Sequence, residues 1–311
     1  MAVWFRLAAM VPVPAARSSL LPLLLLLMIG ALWGSFYALI KIGTTGGIAP
    51  SAYLFWFGSG AGTVLLVIAI ARRSRPQLGW AFFRYCLFVG LVRFGIANVV
   101  FYSTQKRLPV GVMALIMAMV PIFTQLISIA TRLERLSWLR LSGILCGFTG
   151  VVLIVAPKGS LPDPSLIPWV LFGLIAPFLH ASGYVLLSER SRPPNADSLA
   201  LGCGTLFAAA LWVLPYSLWM GEFHMLWPPF SNAELALIAH MILAGINFYA
   251  IFELIRISGP TYMSQANSLS VCFGVAFGIA LFGETHTLFV WAAVPLVLGG
   301  VALVNLNPAK T

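Results

Sequence analysis

Ten stretches of about twenty mainly apolar residues, parted by short polar breaks, run the length of the chain. They fall at 20–42, 50–72, 82–104, 109–131, 137–157, 167–188, 198–220, 235–255, 260–282 and 288–306. A hydrocarbon core about 30 Å thick takes about 20 helical residues, so each stretch predicts a spanning helix. An outer-membrane barrel would instead show roughly ten-residue segments alternating apolar and polar positions. These blocks are continuous and rich in Leu, Ala and Gly. The predicted fold is an all-α polytopic membrane protein with ten transmembrane helices.

The polar breaks carry an orientation signal. With the N-terminus in the cytoplasm, the breaks and span ends on that side hold Arg6, Arg17, Arg72, Arg73, Arg75, Arg84, Arg132, Arg135, Arg140, Arg190, Arg192, Arg256 and Lys310. The other side holds Lys41, Lys106, Arg107 and Lys158. Basic residues concentrate on cytoplasmic loops, so both termini are expected there. Residues 1–19 are read as a retained cytoplasmic tail, since no small-residue cleavage site precedes the apolar block after Pro22.

Composition sharpens this picture. Of 311 residues, 60% are hydrophobic and 8% charged, with a mean hydropathy of +0.98; a soluble domain carries about 25% charged residues. The net charge of +10 would suggest nucleic acid in a soluble protein, but these cations sit at segment ends, so no nucleic-acid partner is expected. Cys86, Cys146, Cys203 and Cys272 lie in apolar segments without metal spacing and read as small core residues. No metal and no cofactor are expected.

The stretch from Pro121 to Leu153 has an echo from Val271 to Leu303. A shift of 150 places Glu134 on Glu284, Gly95 on Gly245, Met113 on Met263, Phe123 on Phe273, Gly150 on Gly300 and Leu153 on Leu303. The chain reads as two copies of one unit, 20–157 and 167–306, joined by a linker at 158–166 and followed by a tail at 307–311. Five helices per copy is an odd number, so the second copy enters the membrane inverted. Such a pair, with a site near the midplane between its halves, is the plan of alternating-access transporters. The alternative is a duplicated protein whose halves only scaffold each other.

Particular residues then point to a family. Pro121-Ile122-Phe123-Thr124, Leu133-Glu134-Arg135-Leu136, Gly143 and Gly150-Val151-Val152-Leu153, with Phe282-Gly283-Glu284 and Gly299-Gly300-Val301, resemble the EamA repeat of the drug/metabolite transporter superfamily. The first copy has Arg132-Leu133 where the motif usually carries Leu-Gly, and the second has Val271 in place of its proline. Within the superfamily the chain looks most like the bacterial aromatic amino-acid exporters called YddG. The resemblance implies a multi-pass inner-membrane exporter of amino acids or similar metabolites, not an enzyme, with no cofactor and no ATP site. The sequence contains no Gly-x-x-x-x-Gly-Lys-Ser/Thr loop. Small-molecule substrate and membrane lipid are the expected partners, and a monomer is the expected state.

Candidate substrate-binding residues come from polar and aromatic groups inside the spans. Trp33 and Tyr37 are four apart on span one, His180 and Tyr184 on span six, and a shift of 147 superposes the pairs. Facing each other, they would line a cavity with flat apolar walls and a few hydrogen-bonding groups; the other reading is helix packing or an interfacial aromatic belt. Span three adds Arg93, Asn98 and Tyr102, span eight Asn247 and Tyr249, and span nine Gln265 and Asn267. Arg93 is read either as a ligand for a substrate carboxylate or as half of a structural ion pair with Glu253. Glu134 and Glu284 are read as structural, each taking backbone N–H groups at the start of the helix that follows it. Gly30, Gly34 and the Gly58–Gly62 cluster read as packing or sliding surfaces.

Every acidic residue lies at or near a span end, which leaves His180 as the one deep titratable group expected. Carboxylate-driven proton coupling is therefore not expected, and facilitated efflux stands open. The substrate class stands open too, between neutral amino acids and drugs, nucleosides or other small metabolites. A membrane enzyme or lipid-handling protein would need a catalytic constellation that the spans do not show, and a channel would favour rings of one residue type.

Overall fold

Proline opens several of the helices, and glycine stops some of them. A proline in the first turn loses nothing, because the N–H it lacks has no helical partner there. A computed structural model describes residues 20–72, 79–131, 137–155, 161, 163–186, 193 and 197–305. Helix α1, Leu21–Thr45, carries Pro22 in its first turn and ends at Gly46-Gly47, where φ is 110° at Gly47, a conformation that favours glycine. The chain then enters α2, Pro50–Ala71. Helix α3, Trp80–Val89, passes through a π-helical stretch, Gly90–Ile96, into α4, Ala97–Arg107. Next come α5, Val110–Met117, α6, Val120–Ala130, and α7, Trp138–Val155.

In the second half, Asp163 caps a short 3-10 turn by accepting from Ser165 N. Helices α8, Ile167–Gly173, and α9, Ile175–Leu186, follow it. Asp197 caps α10, Ser198–Trp219, through Leu199 N. A reciprocal Ser231–Glu234 box opens α11, Asn232–Phe282, which stops at Gly283 in the left-handed conformation. Helix α12 is Leu288–Asn305.

Seven helices among the described residues are long and apolar enough to cross a membrane: Leu21–Thr45, Pro50–Ala71, Trp80–Arg107, Val110–Ala130, Pro164–Gly183, Leu199–Trp219 and Asn232–Ile251. Three shorter apolar helices, Leu141–Ile154, Ala266–Phe282 and Leu288–Leu303, join them. Val67, Ile70, Phe88, Leu145 and Leu281 point out of the bundle, as a lipid solvent permits. Trp80, Trp138 and Trp219 are exposed at helix ends, where an indole can sit at the headgroups.

The sequence predicts a break between spans eight and nine; the structure instead carries helical geometry through all 51 residues of α11. A straight helix of that length would reach about 76 Å, yet α11 meets α1 twice at one level. Phe36 lies 4.6 Å from the His240 ring, while a Cβ on Gly34 would come within 2.5 Å of that of Phe273. In a straight helix His240 and Phe273 would stand about 50 Å apart, so α11 doubles back. Its outgoing arm runs antiparallel to α1, with Gly46 against Ala233 and Leu26 and Ile29 clustered with Ala250 and Leu254. Its returning arm runs parallel to α1, with Gly30 on Leu269 and Gly34 on Phe273.

Corresponding helices of the two copies also pair antiparallel. On α7 and α12, a Cβ on Gly150 would meet Val297 at 2.6 Å, and one on Gly300 would meet the Gly147 backbone at 2.8 Å. The shift of 150 turns Gly147 into Val297 and Gly150 into Gly300, so it exchanges these two contacts. Helices α2 and α10 cross likewise, Gly58 against Leu206 and Ala210 and Gly202 against Leu65. Small residues let the backbones come this close.

Candidate functional site

Tyr53 and Phe57, one turn apart on α2, face His240 on the outgoing arm of α11. Tyr53 is fully buried, and its hydroxyl lies 3.1 Å from His240 Nδ1. Which of the two donates follows from the imidazole tautomer. The His240 ring packs against Phe57 at 4.4 Å and Phe36 at 4.6 Å. Tyr102 of α4 meets Tyr53 edge-on at 5.3 Å and Phe57 at 6.3 Å. Such edge-on pairs suit the ring quadrupole. Tyr37 extends the cluster: it is buried, meets Phe101 edge-on at 5.8 Å and shares a hydrogen bond with Ser270 of the returning arm.

Two helix faces run polar groups past this cluster. Asn98, Tyr102 and Gln105 follow at i, i+4 and i+7 on α4, and His240 and Asn247 at i and i+7 on α11, and all five are buried. Neither amide atom of Gln105 has a hydrogen-bond partner among the described residues, nor does Asn247 Oδ1. Buried amides are normally satisfied, so these are places where a bound polar group would be stabilised.

His240 overturns the expectation that His180 is the one deep titratable group. It is 2% exposed and sits near the middle of Asn232–Ile251. Its i, i+7 spacing with Asn247 was the available signal. Tyr53 and Gln105 were missed as well. Tyr53 lies in a run of aromatics on span two that singles out no member, and only the packing shows which one meets a histidine.

A second cluster joins the two copies through Arg93 and His180. Arg93 lies in the π-helical stretch, near the middle of Trp80–Arg107, with its guanidinium 5.2 Å from the Phe94 ring centre. A π turn adds a residue and re-aims the side chains after it. A Cβ on Gly183 of α9 would lie 3.2 Å from Arg93 Cβ and Cγ, so the arginine stem packs on α9. His180, one turn before Gly183, donates from Nδ1–H to the Ala176 carbonyl at 2.9 Å and feels the Arg93 charge. These two predicted residues come together. Tyr184 lies one turn beyond His180 on α9, and its side chain is outside the described residues, as is that of Gln265 on α11.

The remaining predicted residues disperse. Trp33 packs on the cluster that Leu26 and Ile29 form with both arms of α11. Asn267 is half-buried and its carbonyl accepts from Ser270 Oγ at 2.8 Å. Tyr249 lies at the far end of the outgoing arm, hydrogen-bonded by Arg72 with the guanidinium 4.5 Å over its ring. It stands nine residues, about 13 Å of helix, from His240.

Glu284 acts on a different helix from the one expected. Its carboxylate accepts from Val110 N at 2.5 Å and Gly111 N at 3.1 Å, the opening turn of α5 in the other copy, rather than from α12. Lys41 Nζ lies 3.8 Å from the carboxylate and donates to the Leu108 carbonyl at 2.6 Å. His286 Nε2 stands 3.5 Å away. Burial holds the His286 imidazole below its ordinary pKa, with the Glu284 charge opposing. The fold places this knot by bringing three elements together, α1, α5 and the α11–α12 turn. Glu134, its counterpart, lies outside the described residues.

Comparison with known proteins follows the same division. The EamA-like transporter family matches residues 20–156 and again 167–306. The chain is 28% identical over 302 residues, 90% of each chain, to the uncharacterized inner membrane transporter YedA of Escherichia coli K12. It is 25% identical over 219 residues to protein PecM of Dickeya dadantii, covering 68% of this chain and 69% of that one. A protein crystal structure superposes with a TM-score of 0.62 at 20% identity, covering 95% of this chain and all of the other; at that identity it shows the shared fold alone. With its apolar helices and these relatives, the protein is a multi-pass protein of the bacterial inner membrane. Two matches that together span nearly the whole chain make it a member of the EamA-like transporter family in the drug/metabolite superfamily, a membrane transporter of small molecules.

Proposed function

We propose that the protein exports amino acids, aromatic and other neutral ones, by alternating access between two inverted five-helix repeats. All ten apolar segments cross the membrane, both termini lie in the cytoplasm, and the repeats, 20–157 and 167–306, rock about a central site. The antiparallel α2–α10 and α7–α12 pairs, the second with contacts exchanged by the 150-residue shift, support the inversion.

One observation carries the substrate reading. Arg93 of the first repeat stands mid-span against His180 and Gly183 of the second. Charged side chains within spanning helices mark substrate pathways, and a guanidinium at the contact between the repeats has the planar fork that suits a substrate carboxylate. The aromatic shell of Tyr37, Phe101, Tyr102, Tyr53 and Phe57 suits a flat apolar side chain. The unsatisfied amides of Gln105 and Asn247 offer bonds to a polar head group further along the path.

The test is uptake of radiolabelled Phe, Trp, Met and Thr into proteoliposomes, wild type beside Arg93→Ala and Arg93→Lys. Saturable uptake that falls to background in Arg93→Ala and partly returns in Arg93→Lys is the expected result. Uptake no greater than in empty liposomes would return the substrate to drugs, nucleosides or other metabolites.

A further inference from the structure

The Tyr53–His240 hydrogen bond joins the two copies of the repeat across a buried aromatic cluster. We infer that this pair is the proton-coupling element of the transporter: His240 takes up one proton per cycle from the side to which substrate is released and gives it up on the other. The inference rests on the transport reading above.

Its chemistry follows from the groups in contact. In the neutral imidazole one ring nitrogen accepts and the other donates; in the imidazolium both donate. Where Tyr53 donates to Nδ1, protonation there puts a hydrogen between the two atoms, and the hydroxyl must turn and accept instead. One N–H bond forms as an O–H bond of a hydronium ion breaks, leaving water, and the proton leaves to water by the reverse step. Because Tyr53 is on α2 and His240 on α11, the change occurs at a contact between the halves, the place where it can bias their relative position. Phe36 and Phe57 pack on the ring within 4.6 Å and 4.4 Å, within the reach at which an aromatic face attracts a cation.

The groups facing His240 from the packed elements are Phe36 on α1, Tyr53 and Phe57 on α2, and, behind Tyr53, Tyr102 on α4. None of these is a carboxylate or a cation. The one carboxylate among the described residues that is buried, Glu234, sits in the first turn of α11, paired with His224 and Ser231. His180 uses Nδ1 within its own helix and stands beside the Arg93 cation, so its hydrogen bond does not link the repeats.

The experiment uses the full chain in proteoliposomes with a trapped pH indicator, the membrane potential clamped by valinomycin and potassium. The liposomes are loaded with the transported amino acid and diluted. Wild type should acidify the lumen as substrate leaves. His240→Gln should lose acidification yet keep substrate–substrate exchange, because exchange needs both substrate-bound states but no proton. Tyr53→Phe, which removes the hydroxyl that meets His240, should shift the pH midpoint of acidification, whatever it does to the rate. Efflux from wild type without acidification, a measurement that needs no variant, overturns the coupling and leaves the substrate reading standing; acidification by His240→Gln equal to wild type does the same. If wild type moves none of the amino acids tested, the substrate reading fails, and the coupling inference falls with it for want of a flux to couple.

Discussion

Glu284 tests whether the turn between α11 and α12 holds the first repeat by one carboxylate. Replacing Glu284 with Ala removes the acceptor of two backbone N–H groups at the start of α5. A lost helix cap costs about 1 kcal/mol, within a range of about 0.5–2. Hydrogen bonds to a charged group contribute about 1.5–3 kcal/mol each, but N–H groups freed at a helix end can reach water, which favours the low end. The Lys41 pair, at 3.8 Å, adds less than about 1 kcal/mol, and Lys41 keeps its bond to Leu108. The expected loss for Glu284→Ala is therefore about 3 kcal/mol. Glu284→Gln keeps one acceptor oxygen and loses the charge at the helix dipole, for about 1 kcal/mol. Val110→Pro targets the shorter bond: the site is the first position of α5, Pro109 before it is already extended, and proline there removes the N–H along with the buried Val110 side chain. Thermal unfolding in detergent should rank wild type above Glu284→Gln and Glu284→Ala lowest. Val110→Pro should cost more in wild type than in Glu284→Ala, a coupling of about 1–2 kcal/mol in which the side-chain exchange common to both cancels. Glu284→Ala as stable as wild type, or additive costs in the double variant, would mean that the carboxylate does not hold α5.

Three further outcomes are expected. His286 has a folded pKa below its ordinary value of about 6.5 because burial disfavours the charged ring; its stability contribution is full above that pH and is lost as pH falls through the lowered folded value. Unfolding midpoints of wild type should therefore drop more steeply from pH 7.5 to 5 than those of His286→Gln, and parallel slopes would dispose of the idea. Tyr53→Phe leaves His240 Nδ1 buried without its partner, a cost of about 1–3 kcal/mol, and Tyr53→Phe/His240→Phe should recover part of it in the same unfolding assay. Gly34→Val places a Cβ within 2.5 Å of that of Phe273 and 2.9 Å of the Gly274 nitrogen; backbone cannot move aside as a side chain can, so a loss of about 1–3 kcal/mol or more is expected, with transport falling in the uptake assay even where the variant is folded.

Local pattern accounts for much of what was predicted. Apolar length marks the helices, because a lipid solvent leaves a spanning backbone few options besides satisfying itself. Pro22, Pro50 and Gly283 mark helix ends through φ and the missing N–H. The break expected near Gly259-Pro260 was misjudged in form, since local helical geometry persists while α11 turns back. The candidate site was read in pieces. Arg93 and His180 stood out because charge and imidazole are rare inside a span. Tyr249 stood out equally, yet it serves Arg72 at the end of α2, and nothing in helical spacing distinguishes the two cases.

A helical membrane protein built from two copies of one unit is legible from the residues alone, because hydropathy and a constant residue shift are properties of the one-dimensional string. Which groups meet is set by how the helices pack. Tyr53 and His240 are 187 positions apart, and Glu284 caps a helix 174 positions away. In a bundle whose outward faces are apolar all round, nothing in one helix says which neighbour it will pack against. That choice follows from close approach at small residues such as Gly34, Gly150 and Gly300, and it exists only once the helices are assembled.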